Sequence, residues 1–147
     1  YELYLQDNAN MKVSWEDFNK RKKEDTIEHI YPQSPNDIYW KNRFGHLKPS
    51  EKRQYLNSLG NLLLLNRSKN SKLQNYDFDK KKCLLNKDGK EIGYYNGSYS
   101  EIEVSKHKEW TPDEIKKRGL LMLQFMEERW KFSFDNWNIS KEDILFP

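Results

Sequence analysis

Thr26-Ile27-Glu28-His29-Ile30-Tyr31-Pro32-Gln33 and, further on, Leu59-Gly60-Asn61-Leu62-Leu63-Leu64-Leu65-Asn66-Arg67-Ser68-Lys69-Asn70 decide how this chain is read. The first stretch favours a β-strand, in which successive side chains alternate between faces. Glu28 and His29 therefore point apart unless the strand ends at them, in which case both polar groups are released into a cleft. The second stretch is a leucine run bounded by Gly60 and by an Asn/Arg/Ser/Lys cluster. That pattern suits a buried strand followed by a turn into a helix. Asn70 then lies on the helix and faces back towards the first strand. The core so defined is α+β: two antiparallel strands and a helix.

Working outward, Tyr31 to Gly60 is too long for a hairpin turn and carries enough aromatic residues to be structured. Pro35-Asn36-Asp37 opens a helix containing Ile38, Tyr39, Trp40 and Phe44, and Ser50 caps another that Gly60 stops. Upstream, Tyr1–Leu5 reads as the end of a helix and Asp7–Asn10 as a loop. Ser14 caps a short helix through Lys23, whose basic end suits the helix dipole. Downstream, Phe78–Leu85 continues as helix or turn, Asn86-Lys87-Asp88-Gly89 is a turn, and 91–104 reads as a small hairpin or an ordered loop. Thr111-Pro112-Asp113-Glu114 is a capping box with proline in the first helical position, so a long helix runs from Pro112 to about Lys131. Ile115, Gly119, Met122, Met126 and Trp130 recur along it at helical spacing, which predicts broad burial. The aromatic tail to Pro147 docks on the surface.

The length of 147 residues fits a single domain, 1–147, able to bury a real core. A hydrophobic share of 35% against a charged share of 33% is low, but five Trp, nine Tyr and seven Phe supply large buried areas from few side chains. A net charge of +3 is too slight to establish a polyanionic partner. Its distribution says more: Arg67, Lys69, Lys72, Lys80, Lys81 and Lys82 follow the second stretch, opposed only by Asp77 and Asp79. Such a flank neutralises phosphates or forms an ordinary solvated face. The lone cysteine, Cys83, excludes a disulfide framework and a four-cysteine zinc knuckle, and points to a reducing, cytoplasmic compartment. No apolar run reaches membrane-spanning length, and no signal-peptide pattern opens the chain. A start at Tyr1 is that expected of a domain from the C-terminal part of a longer protein.

The paired stretches resemble an HNH nuclease motif, the ββα-metal site. Glu-His-Ile-Tyr-Pro-Gln with Leu-Gly-Asn-Leu, and later Trp110, Ile115, Arg118 and Trp130, are similar to the C-terminal nuclease domain of GmrSD-type modification-dependent restriction proteins and related phage-defence proteins. The resemblance implies a ββα-metal core surrounded by helices, mostly helical overall. It makes Glu28 the metal-binding acid, His29 the general base, Asn61 the middle asparagine supporting the catalytic site, and Asn70 the final metal ligand, here Asn instead of His. It further implies cleavage of DNA in bacterial restriction or phage defence. An N-terminal nucleotide-hydrolysing or modification-sensing module of the same protein would license the cut.

Phosphodiester hydrolysis needs a deprotonated water and positive charge where negative charge builds. An imidazole titrates near neutrality and suits the first task. A carboxylate and a carboxamide are hard oxygen ligands, which favours Mg2+, with Mn2+ as a substitute, and disfavours tight Zn2+ binding. Asn61 reads as a support for the loop that orients His29. Arg67, Lys69 and Lys72 are candidate phosphate contacts, Gln33 and Asn75 candidate neighbours of the site, and His46 and His107 structural or surface residues. One metal site cuts one strand at a time, so a nick is the expected product. Two other readings stay open: a catalytically inactive module that binds nucleic acid or a partner on the same fold, and an RNase.

Overall fold

β1 (Asp25–His29) and β2 (Leu62–Asn66) pair antiparallel, with Glu28 opposite Leu63 and His29 opposite Leu62. This computed structural model describes residues 1–6 and 25–147; the expected Asp7–Asn10 loop and Ser14–Lys23 helix lie outside the described residues. Alternation decides what each strand buries. Leu63 and Leu65 point into the core, whereas Leu64 is 60% exposed, as is its register partner Ile27. β2 is thus buried on one face, not on both as the leucine run suggested, because the sheet has only two strands and the core lies to one side.

Helices surround the pair: α1 (Glu2–Gln6), α2 (Ile38–Phe44), α3 (Pro49–Asn57), α4 (Arg67–Leu73), α5 (Phe78–Lys82), α6 (Tyr99–Ser105), α7 (Pro112–Trp130) and α8 (Lys141–Leu145). The excursion between the strands is helical, as expected. Asp37 caps α2 by accepting from the Tyr39 amide at 2.8 Å. α3 starts two residues earlier than the Ser50 cap implied, with Lys48 as its cap, Pro49 in the first turn and Glu51 accepting from the Lys48 amide at 2.7 Å. It also ends before Gly60, at Asn57, and Leu59–Asn61 forms a 3-10 turn into β2. No separate turn follows β2, since Asn66 caps α4 directly.

The segment 91–104 is neither a hairpin nor a loop. A single bridge, Leu85 to Glu91, closes the Asn86–Gly89 turn, and the chain then forms a 3-10 turn (Tyr94–Asn96) and α6. The missed signal is the capping box Ser98–Glu101, with the Ser98 amide donating to Glu101 at 3.1 Å. α7 starts as predicted, Thr111 Oγ1 accepting from the Glu114 amide at 3.3 Å. Its burial is confined to Ile115, Arg118, Gly119 and Leu123, while Trp130 is 62% exposed. The helix outruns the core, so its last residues, 128–130, face solvent. No helix among the described residues is long and apolar enough to cross a membrane.

α7 and the 3-10 turn pack backbone to backbone. A Cβ on Gly60 would lie 1.9 Å from Ile115 O and 2.8 Å from Gly119 N. The buried Arg118 guanidinium secures this junction, donating to Gly60 O at 2.8 Å, Leu62 O at 3.0 Å and Glu103 at 2.9 Å. His107 ties α6 to α7 beside it, 2.6 Å from Glu114 and 3.5 Å from Glu103. Its bond to Glu103 raises its pKa most. Since the clash at Gly60 is with backbone, Gly60→Ala should destabilise the domain by about 3 kcal/mol or more, read as a lowered urea midpoint.

Candidate active site

β1 stops at His29, and the release of two polar neighbours into one cleft follows. Glu28 and His29 line a cleft of about 230 Å³ with Ile27, Pro32, Gln33, Asn70, Gln74 and Asn75. Asn70 reaches it from α4, donating Nδ2 to Thr26 Oγ1 at 2.9 Å and to Ile27 O at 3.1 Å. Those bonds fix the carboxamide against β1. Acid, imidazole and carboxamide therefore meet at one place, with Gln33 and Asn75 on the rim.

Glu28 is 4% exposed. Its Oε1 accepts from Lys81 Nζ at 2.6 Å and from the Tyr94 hydroxyl at 2.9 Å. Burial is the largest influence on this carboxyl and raises its pKa against the opposing pull of Lys81. Burial likewise lowers that of Lys81. The geometry is that of an ion pair, since Nζ has three acceptors around it: Glu28, His29 O at 3.0 Å and Ile30 O at 3.1 Å. Removing one member of such a buried pair costs about 3–5 kcal/mol. Neither Lys81 nor Tyr94 was singled out from the sequence. Lys81 was hidden in a basic run that reads as surface, and Tyr94 in a segment read as a loop. The local signal near Lys81 is Asp77, which caps α5 by accepting from the Lys80 amide at 2.9 Å and so marks Lys81 as helical, in the same short helix as buried Phe78.

His29 is half-buried, and burial, followed by the charge of Lys81, lowers its pKa below the ordinary 6.5. The Asn57 side chain bonds the ring and opposes that shift. Asn57 is itself oriented by donating Nδ2 to Arg53 O at 3.0 Å. The imidazole is thus neutral at pH 7, the form that accepts a proton.

Asn61 is fully buried and does not line the cleft. Its Oδ1 accepts from the Tyr31 amide at 2.8 Å and Trp110 Nε1 at 3.2 Å, and its Nδ2 donates to Tyr31 O and Leu56 O, both at 3.0 Å. It is the support of the His29 loop, two residues from the imidazole. Arg67 and Lys72 are exposed. Lys72 borders a second groove, with Lys69, Lys90 and Asn96. Lys69 is largely engaged, paired with Glu101 and 3.3 Å from Asn96 O. Lys81 and Lys82, counted in sequence among the basic flank, are both buried.

A divalent cation would be held by the Glu28 carboxylate and Asn70 Oδ1. Among the described residues there is no group of three or more His, Cys, Asp and Glu side chains suited to a metal. Two hard oxygens with room for water and phosphate fit Mg2+ or Mn2+, which are commonly held by one or two carboxylates and by substrate oxygens. Because Asn61→Ala leaves four partner groups unsatisfied in the interior, it should cost about 3 kcal/mol or more in urea unfolding. Asn70→Ala, at the cleft edge, should cost under about 1.5 kcal/mol.

Against known proteins, no curated protein and no solved structure matches. The family model described as "GmrSD restriction endonucleases, C-terminal domain" matches residues 2–125, a span containing every residue of the cleft and its supports. The chain belongs to the family of C-terminal domains of GmrSD restriction endonucleases.

Proposed function

We propose that this domain is a Mg2+-dependent endonuclease that nicks DNA, as part of a bacterial restriction or anti-phage system. The observation that carries the reading is the convergence of Glu28, His29 and Asn70 on one cleft, from two strands' worth of separation in sequence. Family membership supports nuclease chemistry in general. The cytoplasm is the compartment such a system works in, and a nucleotide-hydrolysing or modification-sensing portion of the same protein is its proposed regulator.

In this mechanism the neutral imidazole of His29 takes a proton from the attacking water, and the support behind it keeps the ring in place. Ile30 N donates to Asn61 O at 3.0 Å, and Asn57 bonds the ring itself. Glu28 and Asn70 would hold the cation, which when bound would supply positive charge to the phosphate and the departing 3′-oxygen. Arg67 and Lys72 face solvent, the exposure that a phosphate contact requires. Lys69 reaches a phosphate by leaving Glu101. With a single general base, His29, the domain would cut one strand at a time.

Supercoiled plasmid with Mg2+ should be converted to open circles, and His29→Ala of equal fold should lower the rate by about 10²–10⁴-fold. Equal rates for the two proteins would refute the mechanism, and preferential cutting of a matched RNA would refute the substrate. Protonation removes the base, so activity must fall on the acid side. Since the His29 pKa is lowered, that fall should set in below pH 6.5, with little change in rate attributable to His29 between pH 7 and 8.

A further inference from the structure

Lys81 stands in the sequence as one of three consecutive lysines, yet its side chain is fully buried and pairs with Glu28, which lines the cleft. All three neighbours of Nζ are oxygen acceptors, one carboxylate and two carbonyls. A neutral amine would present a lone pair to one of them, so the group is an ammonium with each proton used. Among the described residues, Glu28 is the only carboxylate lining the cleft; the other linings are apolar, carboxamide or imidazole. The formal charge of Glu28 is therefore balanced from behind before any ligand arrives.

A cation entering this cleft alone meets two oxygen donors and little net attraction, because the ammonium offsets the carboxylate at 2.6 Å. A phosphate diester adds the missing negative charge. We propose that Lys81 is a positioning residue that also sets the order of loading: it holds Glu28 and the end of β1 in place and, by neutralising the site, makes divalent-cation binding depend on the phosphate of the nucleic acid. This rests on the endonuclease reading above. Linkage then requires the cation to strengthen nucleic-acid binding by the same factor.

The test is Mn2+ binding at pH 8, followed by the spectroscopic signal of free Mn2+, in a His29→Ala background that does not cut. Duplex DNA should tighten Mn2+ by about tenfold or more with Lys81 present. In Lys81→Met, Mn2+ alone should bind about tenfold more tightly, and the increment from DNA should shrink to about threefold or less. Lys81→Arg keeps the charge and should restore the dependence on DNA. Tyr94→Phe removes the other donor to Glu28 without changing charge, and it should leave that dependence intact. Mn2+ that binds the Lys81 protein as tightly without DNA as with it overturns the proposal, whether or not Lys81→Met folds. So does a gain in Tyr94→Phe equal to that in Lys81→Met. Nicking by the wild-type domain together with either result sinks this inference alone; loss of nicking and of Glu28-dependent Mn2+ binding sinks the endonuclease reading with it.

Discussion

Where β1 ends, its backbone leaves the sheet inside the protein, and every polar group there has to be satisfied from elsewhere. Two side chains do this. Lys81 donates to the carbonyls of His29 and Ile30, and Asn61 bonds both the amide and the carbonyl of Tyr31 while its own backbone carbonyl accepts from the Ile30 amide. Without them the strand would either continue, sending Glu28 and His29 to opposite faces, or leave buried carbonyls unpaired. The cleft exists because the strand can stop at His29.

That solution draws charge into the interior, and the rest of the fold is arranged to satisfy it. Arg118 is buried across the carbonyls of Gly60 and Leu62, Glu101 is buried against Lys69 and the start of α6, and Lys82 lies over the Phe78 ring at 4.8 Å. Gly93 allows the chain to pass close to the end of α5, where a Cβ would meet Lys82 O at 2.1 Å, and so lets Tyr94 reach Glu28. Around these groups the aromatic residues fill space: Tyr31 stacks on Phe44 with ring centres 3.8 Å apart, and Phe78 lies 5.4 Å from Trp110. A chain with few aliphatic residues thus folds around rings and fully bonded ions.

Helix starts were the most legible features, because a cap is a contact between near neighbours in sequence. Asp37 and Thr111 were read correctly from local chemistry, and Ser98–Glu101 carried the same signal unread. Gly60 was legible as a break but not for its reason, which is the approach of α7. Leu64 and Trp130 misled because hydrophobicity does not state how far a core extends. The candidate site was legible as a set of residue types with Asn61 behind it, and its other supports were not: Lys81, Tyr94 and Arg118 owe their roles to partners 53, 66 and 58 residues away.

Residue order alone settled the two strands, their antiparallel pairing through a helical excursion, and the placing of Asn70 on the helix after β2. These follow from periodicity and turn chemistry acting over a few residues. Folding in three dimensions settled which lysine pairs with Glu28 and which is surface, that Asn61 faces inward, and that His29 is half-buried beside Lys81, which lowers its pKa. Charge and burial depend on what lies opposite a side chain, and no local pattern encodes that.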